Sequence, residues 1–250
     1  MEHVSYEVKE GVATLTFRRP EKLNAMNDEM RRSLHDALML FERDSSAKVA
    51  ILTGDGRAFC AGADLEEMAN LSMHEAASIP HIGYNVRVSK PTIAQVNGIA
   101  YAGGFLLAQM CDLCTAAEDA RFALTEVRWG RGTPWATPLI WMLPQRVMME
   151  LLLTGEPMTA RRAYELGFVN RVVSAEQLAA ETLALAQKIA SNAPLAVKAS
   201  REMTYLACEM GRSAALPVGD YCFKEAYASA DAVEGPRAFR DGRKPNWSGS

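Results

Sequence analysis

Short hydrophobic stretches divide the first half of the chain into strands. Val4–Val8 and Val12–Phe17 alternate between apolar and polar residues around a Lys-Glu-Gly turn, which predicts two paired strands. Val49–Leu52, Thr92–Val96 and Leu113–Ala116 are more continuously apolar, as expected of strands that are buried on both faces. Helical stretches separate these runs, so the pattern predicts an α/β fold with buried parallel strands.

Helical periodicity and capping residues predict several helices. After Asn27, a typical N-cap residue, apolar side chains recur at helical spacing. Thr159 is placed to cap a later helix, and Gly167 to end it. The sequence Ser-Ala-Glu-Gln from Ser174 is typical of a capping box, and it predicts a long helix that reaches about Asn192.

The second half of the chain is nearly all helical in pattern. Pro194, Pro217 and Pro236 are expected to mark the boundaries between its later helices. We therefore predict a strand-rich core over residues 1–190 and a helical C-terminal segment over residues 191–250. No internal repeat and no flexible linker is evident in the sequence.

Composition and charge narrow the function. The 250 residues carry 27 basic and 30 acidic side chains, a balance that argues against binding nucleic acid mainly by charge. The most apolar stretch, Ile99–Ala117, is interrupted by glycines and polar residues, so no membrane span is expected. Five cysteines and a charged start without a signal-peptide pattern favour a reducing, cytoplasmic location.

Two glycine-rich segments are the first candidates for chemistry. Residues 56–65 read GRAFCAGADL, and residues 97–104 read NGIAYAGG. Each follows a predicted strand and opens a predicted helix, where backbone N–H groups are free and small residues let a ligand approach. Taken alone, either segment is more often a structural turn than a ligand contact. Side by side, the two turns could aim two donors at one oxygen, as stabilisation of an oxyanion requires.

The order of these and other motifs resembles the crotonase, or enoyl-CoA hydratase/isomerase, superfamily. The matching stretches are Arg-Pro at 19–20 through Leu-Asn-Ala at 23–25, AFCAGADL, VNGIAYAGG followed by Cys-Asp, LLLTGEPMTARRAYELGFVNRVV and EGPRAFRDGRKPNW. Together they span essentially the whole chain. The resemblance implies a crotonase-like α/β fold: a ββα-superhelix core and a helical C-terminal trimerisation region, in a homotrimer or a dimer of trimers.

The resemblance also implies an acyl-CoA site. In the family, two backbone N–H groups hold the thioester carbonyl oxygen, and by position they belong to Ala63 and Gly103. The other residues expected along the acyl-CoA are Lys22, Arg57, Ala61, Asp64, Leu65, Gly104, Leu106 and Pro134. Of these, the two basic residues are the expected neighbours of the phosphates. No separate cofactor and no metal is implied, because coenzyme A enters as part of the substrate.

The end of the chain carries one further implied contact. Phe239 and Lys244 match a segment that in some family members completes the CoA site of a neighbouring subunit. The resemblance implies neither a nucleic-acid partner nor a membrane partner.

Two departures from the family pattern affect the expected reaction. Glu126 matches one of the two glutamates of family hydratases and is the candidate general acid and base. The other glutamate is expected three residues after Gly103, where this chain has Leu106, which exchanges no proton. Pro134 stands where hydratases usually have a glycine whose N–H helps to hold the catalytic water, and proline has no N–H. That proline also excludes the aspartate found there in related dehalogenases and some isomerases.

These departures leave several functions open. They favour double-bond isomerisation, or hydration of a particular substrate with one glutamate, over general fatty-acid hydration. Hydrolysis of a thioester or carbon–carbon bond is the competing enzymatic function, and acyl-CoA binding without turnover is the alternative of a different class. Glu126 argues against a mere binder, whereas Leu106 and Pro134 argue for one.

The remaining candidates have ordinary structural explanations. Five residues around Pro134 could line a pocket for a bulky, aromatic or carboxylated acyl group, or serve only packing and surface charge: Arg128, Trp129, Arg131, Trp135 and Trp141. Cys111 and Cys114 lack a second ligand pair, so buried packing is expected. The four histidines have no metal-binding spacing, and no catalytic role is expected for His81.

Overall fold

Strands and helices alternate along residues 2–70 and 79–250, the residues that the computed structural model describes. The strands are β1 (Val4–Lys9), β2 (Val12–Phe17), β3 (Val49–Gly54), β4 (Ala58–Cys60), β5 (Thr92–Val96), β6 (Ile99–Tyr101), β7 (Leu113–Ala117), β8 (Arg121–Ala123), β9 (Met158–Thr159) and β10 (Arg171–Val173). The helices are α1 (Asp28–Arg43), α2 (Leu65–Asn70), α3 (Gly103–Gln109), α4 (Gln145–Thr154), α5 (Ala160–Glu165), α6 (Ala175–Ala190), α7 (Pro194–Cys208), α8 (Arg212–Ala228) and α9 (Asp231–Arg240). Shorter 3-10 segments are Pro20–Lys22, Thr125–Trp129 and Pro134–Trp141.

The strands form two sheets. The larger has the order β1-β2-β3-β5-β7-β10 and is parallel except at the β1–β2 hairpin. The smaller has the order β4-β6-β8-β9 and is parallel except at β9. The strands predicted in the first half are confirmed, with ends at or close to the expected residues.

Successive β-β-α units build the core. In each unit, a strand of the larger sheet leads to a strand of the smaller one: β3 to β4, β5 to β6, and β7 to β8. Helix α2 follows the first pair and α3 the second, whereas the 3-10 segment Thr125–Trp129 follows the third. The predicted α/β fold with a ββα core is confirmed, although the repetition is not visible in the sequence.

Side-chain amides hold the corners at which the chain passes between the sheets. The Asn97 Oδ1 accepts a hydrogen bond from the Gly54 amide at 3.2 Å, and its Nδ2 donates to the Gly56 carbonyl at 2.9 Å. The buried Asn24 donates to the Asp55 carbonyl at 2.9 Å. These contacts satisfy backbone groups that have no strand partner at the corners.

The larger sheet is buried on both faces, which explains the apolar run in β3. Val49 and Ile51 belong to the cluster covered by α6, whereas Ala50 and Leu52 belong to the main core on the opposite face. Successive side chains of a strand point to opposite faces. A strand covered on both sides must therefore be continuously apolar, as β3 is.

Two of the three predicted helix starts with capping chemistry are confirmed in detail. Asn27 accepts a hydrogen bond from an amide of the first turn of α1, and Thr159 accepts one from the Arg162 amide at 3.1 Å in α5. Ser174 does precede α6, but its hydroxyl makes no capping hydrogen bond, so the predicted capping box is wrong. That hydroxyl instead interacts with the carboxylate of Glu176.

The prolines of the C-terminal segment do not all mark boundaries. Pro194 begins α7 as predicted, but Pro217 and Pro236 lie inside α8 and α9, so the predicted boundaries there are wrong. A proline inside a helix removes one backbone donor, and both helices also have contacts outside themselves. Helix α8 packs along α7, and the carboxylate of Asp231 in α9 accepts a hydrogen bond from the Ser248 amide at 2.7 Å.

Two further observations concern the whole described chain. No helix within residues 2–70 and 79–250 has the length and hydropathy needed to cross a bilayer. Cys111 and Cys114 are both buried in the core, which confirms that they serve packing.

Candidate active site

Three strands of the smaller sheet end side by side. β4, β6 and β8 are parallel neighbours in this order. Parallel strands carry their carboxyl ends at the same edge of a sheet, where α/β proteins commonly bind ligands. Ala63, Gly103 and Glu126 each follow one of these strands within three residues. The topology therefore brings the predicted donors and the predicted acid to one edge.

Ala63 is held between two hydrogen bonds to a single residue, Met26. The Met26 amide donates to the Gly62 carbonyl at 2.7 Å, and the Asp64 amide donates to the Met26 carbonyl at 3.0 Å. This parallel bridge fixes the peptides on both sides of Ala63. Because neighbouring residues of an extended chain alternate in direction, the Ala63 N–H points away from Met26.

Gly103 follows a residue with a strained backbone. Ala102, the N-cap of α3, has φ 51° and ψ −122°, a combination that a residue with a Cβ rarely adopts. The ψ angle of Ala102 sets the orientation of the next peptide and hence the direction of the Gly103 N–H. A Cβ on Gly103 would lie 2.5 Å from Ile79 Cδ1 and 2.9 Å from Met26 Cε, so a larger residue would displace both side chains.

The turn that carries Ala63 lies against the turn that carries Gly103, and the backbone amides of both residues are available to a ligand. A Cβ on Gly62, whose φ is +103°, would lie 2.7 Å from the Ala102 Cβ and 3.2 Å from the Gly103 nitrogen. Among the described residues, neither the Ala63 amide nor the Gly103 amide donates to a protein acceptor. Two uncommitted backbone donors thus lie where the turns meet.

Glu126 supplies a partly buried carboxyl group in the 3-10 segment after β8. Its Oε2 is shielded from solvent and has no hydrogen-bond partner in the described part of the chain. Burial raises the pKa of Glu126 to about 7. Hydrogen bonds from its own amide and from the Trp135 side chain act to lower this pKa, but their effect is smaller. A carboxyl group with this pKa both accepts and donates a proton near neutral pH.

Gln109 and Trp135 support this part of the site. Gln109, buried at the end of α3, donates from Nε2 to the Trp135 carbonyl at 3.1 Å. Its Oε1 is also buried, with no partner among the described residues. Helix α3 is therefore tied to the segment that carries the indole beside Glu126. Gln109 is not among the predicted site residues; its signal in the sequence is that it is the lone polar side chain in an otherwise apolar helix.

The two departures from the family pattern lie on elements that border the site. Leu106 is on α3, one turn after Gly103, and is 3% exposed. Pro134 is exposed and begins the 3-10 segment that Gln109 contacts through Trp135. Neither position supplies a proton donor or acceptor from a side chain.

Three of the remaining predicted acyl-CoA residues surround the Ala63 turn. The Ala61 amide donates to the Leu23 carbonyl at 3.0 Å. Leu65 begins α2 and is 54% exposed. A Cβ on Gly104 would lie 2.0 Å from the Cys60 carbonyl oxygen, so only glycine lets α3 approach β4 this closely.

The polar members of the predicted acyl-CoA set differ in exposure. Arg57 is exposed, and Lys22 is exposed with its ammonium group 3.0 Å from the Glu66 carboxylate. The carboxylate of Asp64 instead turns inward, 3.1 Å from the Arg19 guanidinium. The contacts of these three residues with an acyl-CoA stay predictions.

Most of the other candidates are exposed. Trp129, Trp141 and Phe239 are all more than half exposed, and Lys244 is exposed as well. Arg128 forms an ion pair with Glu156 at 2.6 Å. Of the aromatic residues around Pro134, the structure places Trp135 beside Glu126.

Metal ligands are not grouped in the part of the chain that the structure describes. Within residues 2–70 and 79–250, no three His, Cys, Asp or Glu side chains are arranged to hold a metal ion. His74 lies outside the described residues. His81 is half-buried, which lowers the pKa of its imidazole, and its ring lies 5.8 Å from that of Tyr84.

The fold and the three strand ends define a crotonase-like protein, and comparison with known proteins agrees. The family model for enoyl-CoA hydratase/isomerase matches residues 7–250. The crystal structure of enoyl-CoA hydratase from Mycobacterium tuberculosis H37Rv superposes with a TM-score of 0.92 at 35% identity, and the match covers 99% of each chain. The chain therefore belongs to the enoyl-CoA hydratase/isomerase family of acyl-CoA-processing enzymes.

Curated relatives include proteins named for different hydration reactions. The mitochondrial enoyl-CoA hydratase of Pongo abelii is 35% identical over 241 residues, which cover 94% of this chain and 83% of that protein. The (E)-benzylidenesuccinyl-CoA hydratase of Thauera aromatica is 34% identical over 258 residues, which cover 99% of each. These similar identities do not by themselves select one acyl group.

Proposed function

We propose that this chain moves a proton on the acyl group of an acyl-CoA thioester, with one carboxyl group and one oxyanion hole. The observation that carries the proposal is the position of two uncommitted amides, of Ala63 and Gly103, and of the Glu126 carboxyl group at adjacent strand ends, with the buried Oε2 of Glu126 unpartnered among the described residues. Amides without a protein acceptor and a buried carboxyl oxygen without a protein donor are both suited to a ligand.

The two amides are proposed to hold the thioester carbonyl oxygen. Removing a proton next to a thioester places negative charge on that oxygen, and fixed backbone donors stabilise the charge without reorganising. The contact of Gly62 with Ala102 fixes the two donors relative to each other. Removing one such donor typically costs about 2.7–4 kcal/mol of transition-state stabilisation.

Glu126 is proposed to transfer the proton. As a carboxylate it removes a proton from the α-carbon, which leaves an enolate held by the two amides. As the resulting acid it returns the proton to the γ-carbon, so a 3-enoyl thioester becomes a 2-enoyl thioester. The same group acts in both steps, and a pKa of about 7 suits both.

This single-acid chemistry favours isomerisation over general hydration. Water addition in two-glutamate hydratases uses a second carboxyl group and an amide, and here Leu106 and Pro134 occupy the matching positions. Hydration of one particular substrate by Glu126 alone is the second candidate. The 34% identity to a hydratase named for (E)-benzylidenesuccinyl-CoA supports it.

A panel of short 2-enoyl-CoA and 3-enoyl-CoA substrates tests the proposal. Wild type and Glu126→Gln are assayed for isomerisation, hydration and release of free thiol, and binding of a saturated acyl-CoA is titrated by calorimetry. We expect turnover by wild type, loss of turnover in the variant and similar affinity in both. Binding without any turnover by wild type would favour the acyl-CoA binder, and release of thiol would favour a hydrolase.

A further inference from the structure

A buried ion pair lies behind the Ala63 turn. The Arg19 Nη2 is 3.1 Å from the Asp64 Oδ2, and the two side chains are only 11% and 10% exposed. The Arg19 Nη1 also donates to the Ala25 carbonyl, and its backbone amide donates to the Asn24 Oδ1 at 2.9 Å. One guanidinium group therefore joins the segment before α1 to the segment before α2.

The pair closes a ring of contacts around Ala63. Met26, which follows the residue that Arg19 contacts, exchanges hydrogen bonds with Gly62 and Asp64 at 2.7 and 3.0 Å. Asp64 is thus held to this segment by its backbone and by its side chain. The spacing of the two segments, and with it the direction of the Ala63 N–H, depends on both connections.

Asp64 is also fixed to the helix that follows it. Its Oδ1 accepts hydrogen bonds from the Glu66 and Glu67 amides at 3.1 and 3.5 Å. Burial acts to raise the pKa of Asp64, but the hydrogen bonds from Arg19 and from these amides outweigh it and hold the pKa below its usual value. The carboxylate stays charged at neutral pH and remains a partner for Arg19.

A buried ion pair is a weak source of stability, because desolvation of the charges offsets much of their attraction. Its directional hydrogen bonds nevertheless constrain geometry, and small displacements of a catalytic donor are costly to the rate. We propose that Arg19 and Asp64 are positioning residues that aim the Ala63 amide at the thioester oxygen. This inference rests on the proposed function, in which that amide is an oxyanion donor.

The test measures how strongly the bound carbonyl is polarised. A saturated acyl-CoA labelled at its thioester carbonyl is bound to each variant, and its stretching frequency is recorded by infrared difference spectroscopy. A hydrogen bond to the oxygen weakens the C=O bond and lowers this frequency. In wild type we expect the band below its position in free solution.

Asp64→Asn and Arg19→Met are expected to lose part of this lowering. With correct positioning lost, kcat should fall roughly 10- to 100-fold while KM changes much less. Arg19→Lys keeps the charge but not the forked geometry. It should therefore retain more of the frequency lowering and of kcat than Arg19→Met does. Arg18→Met is the matched control, because the side chain of the neighbouring Arg18 forms an exposed contact with Glu7 at 3.4 Å and no other ion pair within residues 2–70 and 79–250. It should leave both the band and kcat unchanged.

The outcomes separate this inference from the proposed function. Absence of any lowering in wild type would refute the oxyanion hole itself. A lowered band in wild type that stays unchanged in folded Asp64→Asn would overturn the positioning role alone. If Arg19→Met does not fold, Asp64→Asn and Arg19→Lys carry the comparison, with circular dichroism as the check of folding.

Discussion

Gly62 lies so close to Ala102 that a Cβ on the glycine would be 2.7 Å from the Cβ of the alanine. These two residues precede the proposed donors, Ala63 and Gly103, and both have positive φ values, +103° and 51°. The parallel strands bring both amides to one edge of the smaller sheet, and the close approach of Gly62 to the Ala102 methyl group holds the two turns next to each other. Disturbing this contact should therefore disturb both donors.

Gly62→Ala tests that relationship. The new methyl group would clash with Ala102 and with the Tyr101 carbonyl at 3.0 Å, and the positive φ adds a strain of about 1–2 kcal/mol. We expect lower stability and a fall in kcat of more than tenfold, measured by thermal unfolding and steady-state kinetics.

Gly83→Ala is the control for that substitution. Its φ is +86°, but a Cβ there would meet nothing within 4 Å. It should therefore show a comparable backbone strain without the loss of kcat. An equal loss of kcat in both variants would mean that the effect is general destabilisation.

Glu126→Gln is predicted to stabilise the fold while it removes activity. The pKa of Glu126 is about 7 in the folded protein, whereas an unperturbed glutamate, as in the unfolded chain, has a pKa of 4.5. Between these values the folded state binds more protons than the unfolded chain, so stability falls as the pH rises. The variant should lack this fall and be more stable than wild type by on the order of 1–3 kcal/mol at about pH 8.

Urea unfolding across pH measures this difference, with Glu118→Gln as the control. Glu118 is exposed, so its variant should follow the wild-type curve. A Glu126→Gln variant whose stability has the wild-type dependence on pH would mean that the folded protein does not raise this pKa.

Trp135→Phe should change the pH dependence of turnover. A hydrogen bond from the Trp135 side chain acts to lower the pKa of Glu126, and phenylalanine removes the N–H. Activity that requires the carboxylate rises with pH through this pKa, so the rising limb should move to higher pH. Trp141→Phe, at the exposed end of the same 3-10 segment, should leave the limb in place. If the rising limb of Trp135→Phe lies at the same pH as in wild type, the indole does not lower the pKa of Glu126.

The secondary structure was largely predictable, because local chemistry determines most of it. The Asn27 and Thr159 caps and the apolar runs of β3 and β5 each leave a signal within a few residues. The candidate site residues, Glu126 among them, come from the family motifs, and their roles stay predictions.

Features that depend on tertiary contacts left weaker signals. β10, only three residues long, is a strand because β7 pairs with it, and the prediction omitted it. Pro217 was placed at a helix end, since packing of α8 against α7 cannot be seen locally. The inward turn of Asp64 toward Arg19 joins residues 45 positions apart. The positive φ of Ala102 is unexpected for alanine from sequence alone.

Introducing a second glutamate tests whether its absence limits hydration. Leu106→Glu combined with Pro134→Gly would supply the carboxyl group and the amide that two-glutamate hydratases use. We expect faster hydration of a short 2-enoyl-CoA than in wild type, with effects that are not additive, since both groups would contact one water. Leu106 is 3% exposed, so the new carboxyl group should have a raised pKa and lower the stability.

Leu106→Gln with Pro134→Gly is the matched control, because glutamine has the same shape but exchanges no proton. Rates are measured across pH on folded protein. No gain by the glutamate variant over the glutamine variant would show that these two positions do not account for the specialisation.

Deuterium exchange tests most directly the claim that Glu126 forms an enolate held by the Ala63 and Gly103 amides. A saturated short acyl-CoA can be neither hydrated nor isomerised, so deuterium incorporated at its α-carbon in D₂O reports proton removal alone. Mass spectrometry follows the label with wild type and with Glu126→Gln. We expect incorporation by wild type and a rate roughly 10²–10⁴-fold lower in the variant. Equal exchange by both proteins, or none by wild type while it binds the thioester, would contradict it.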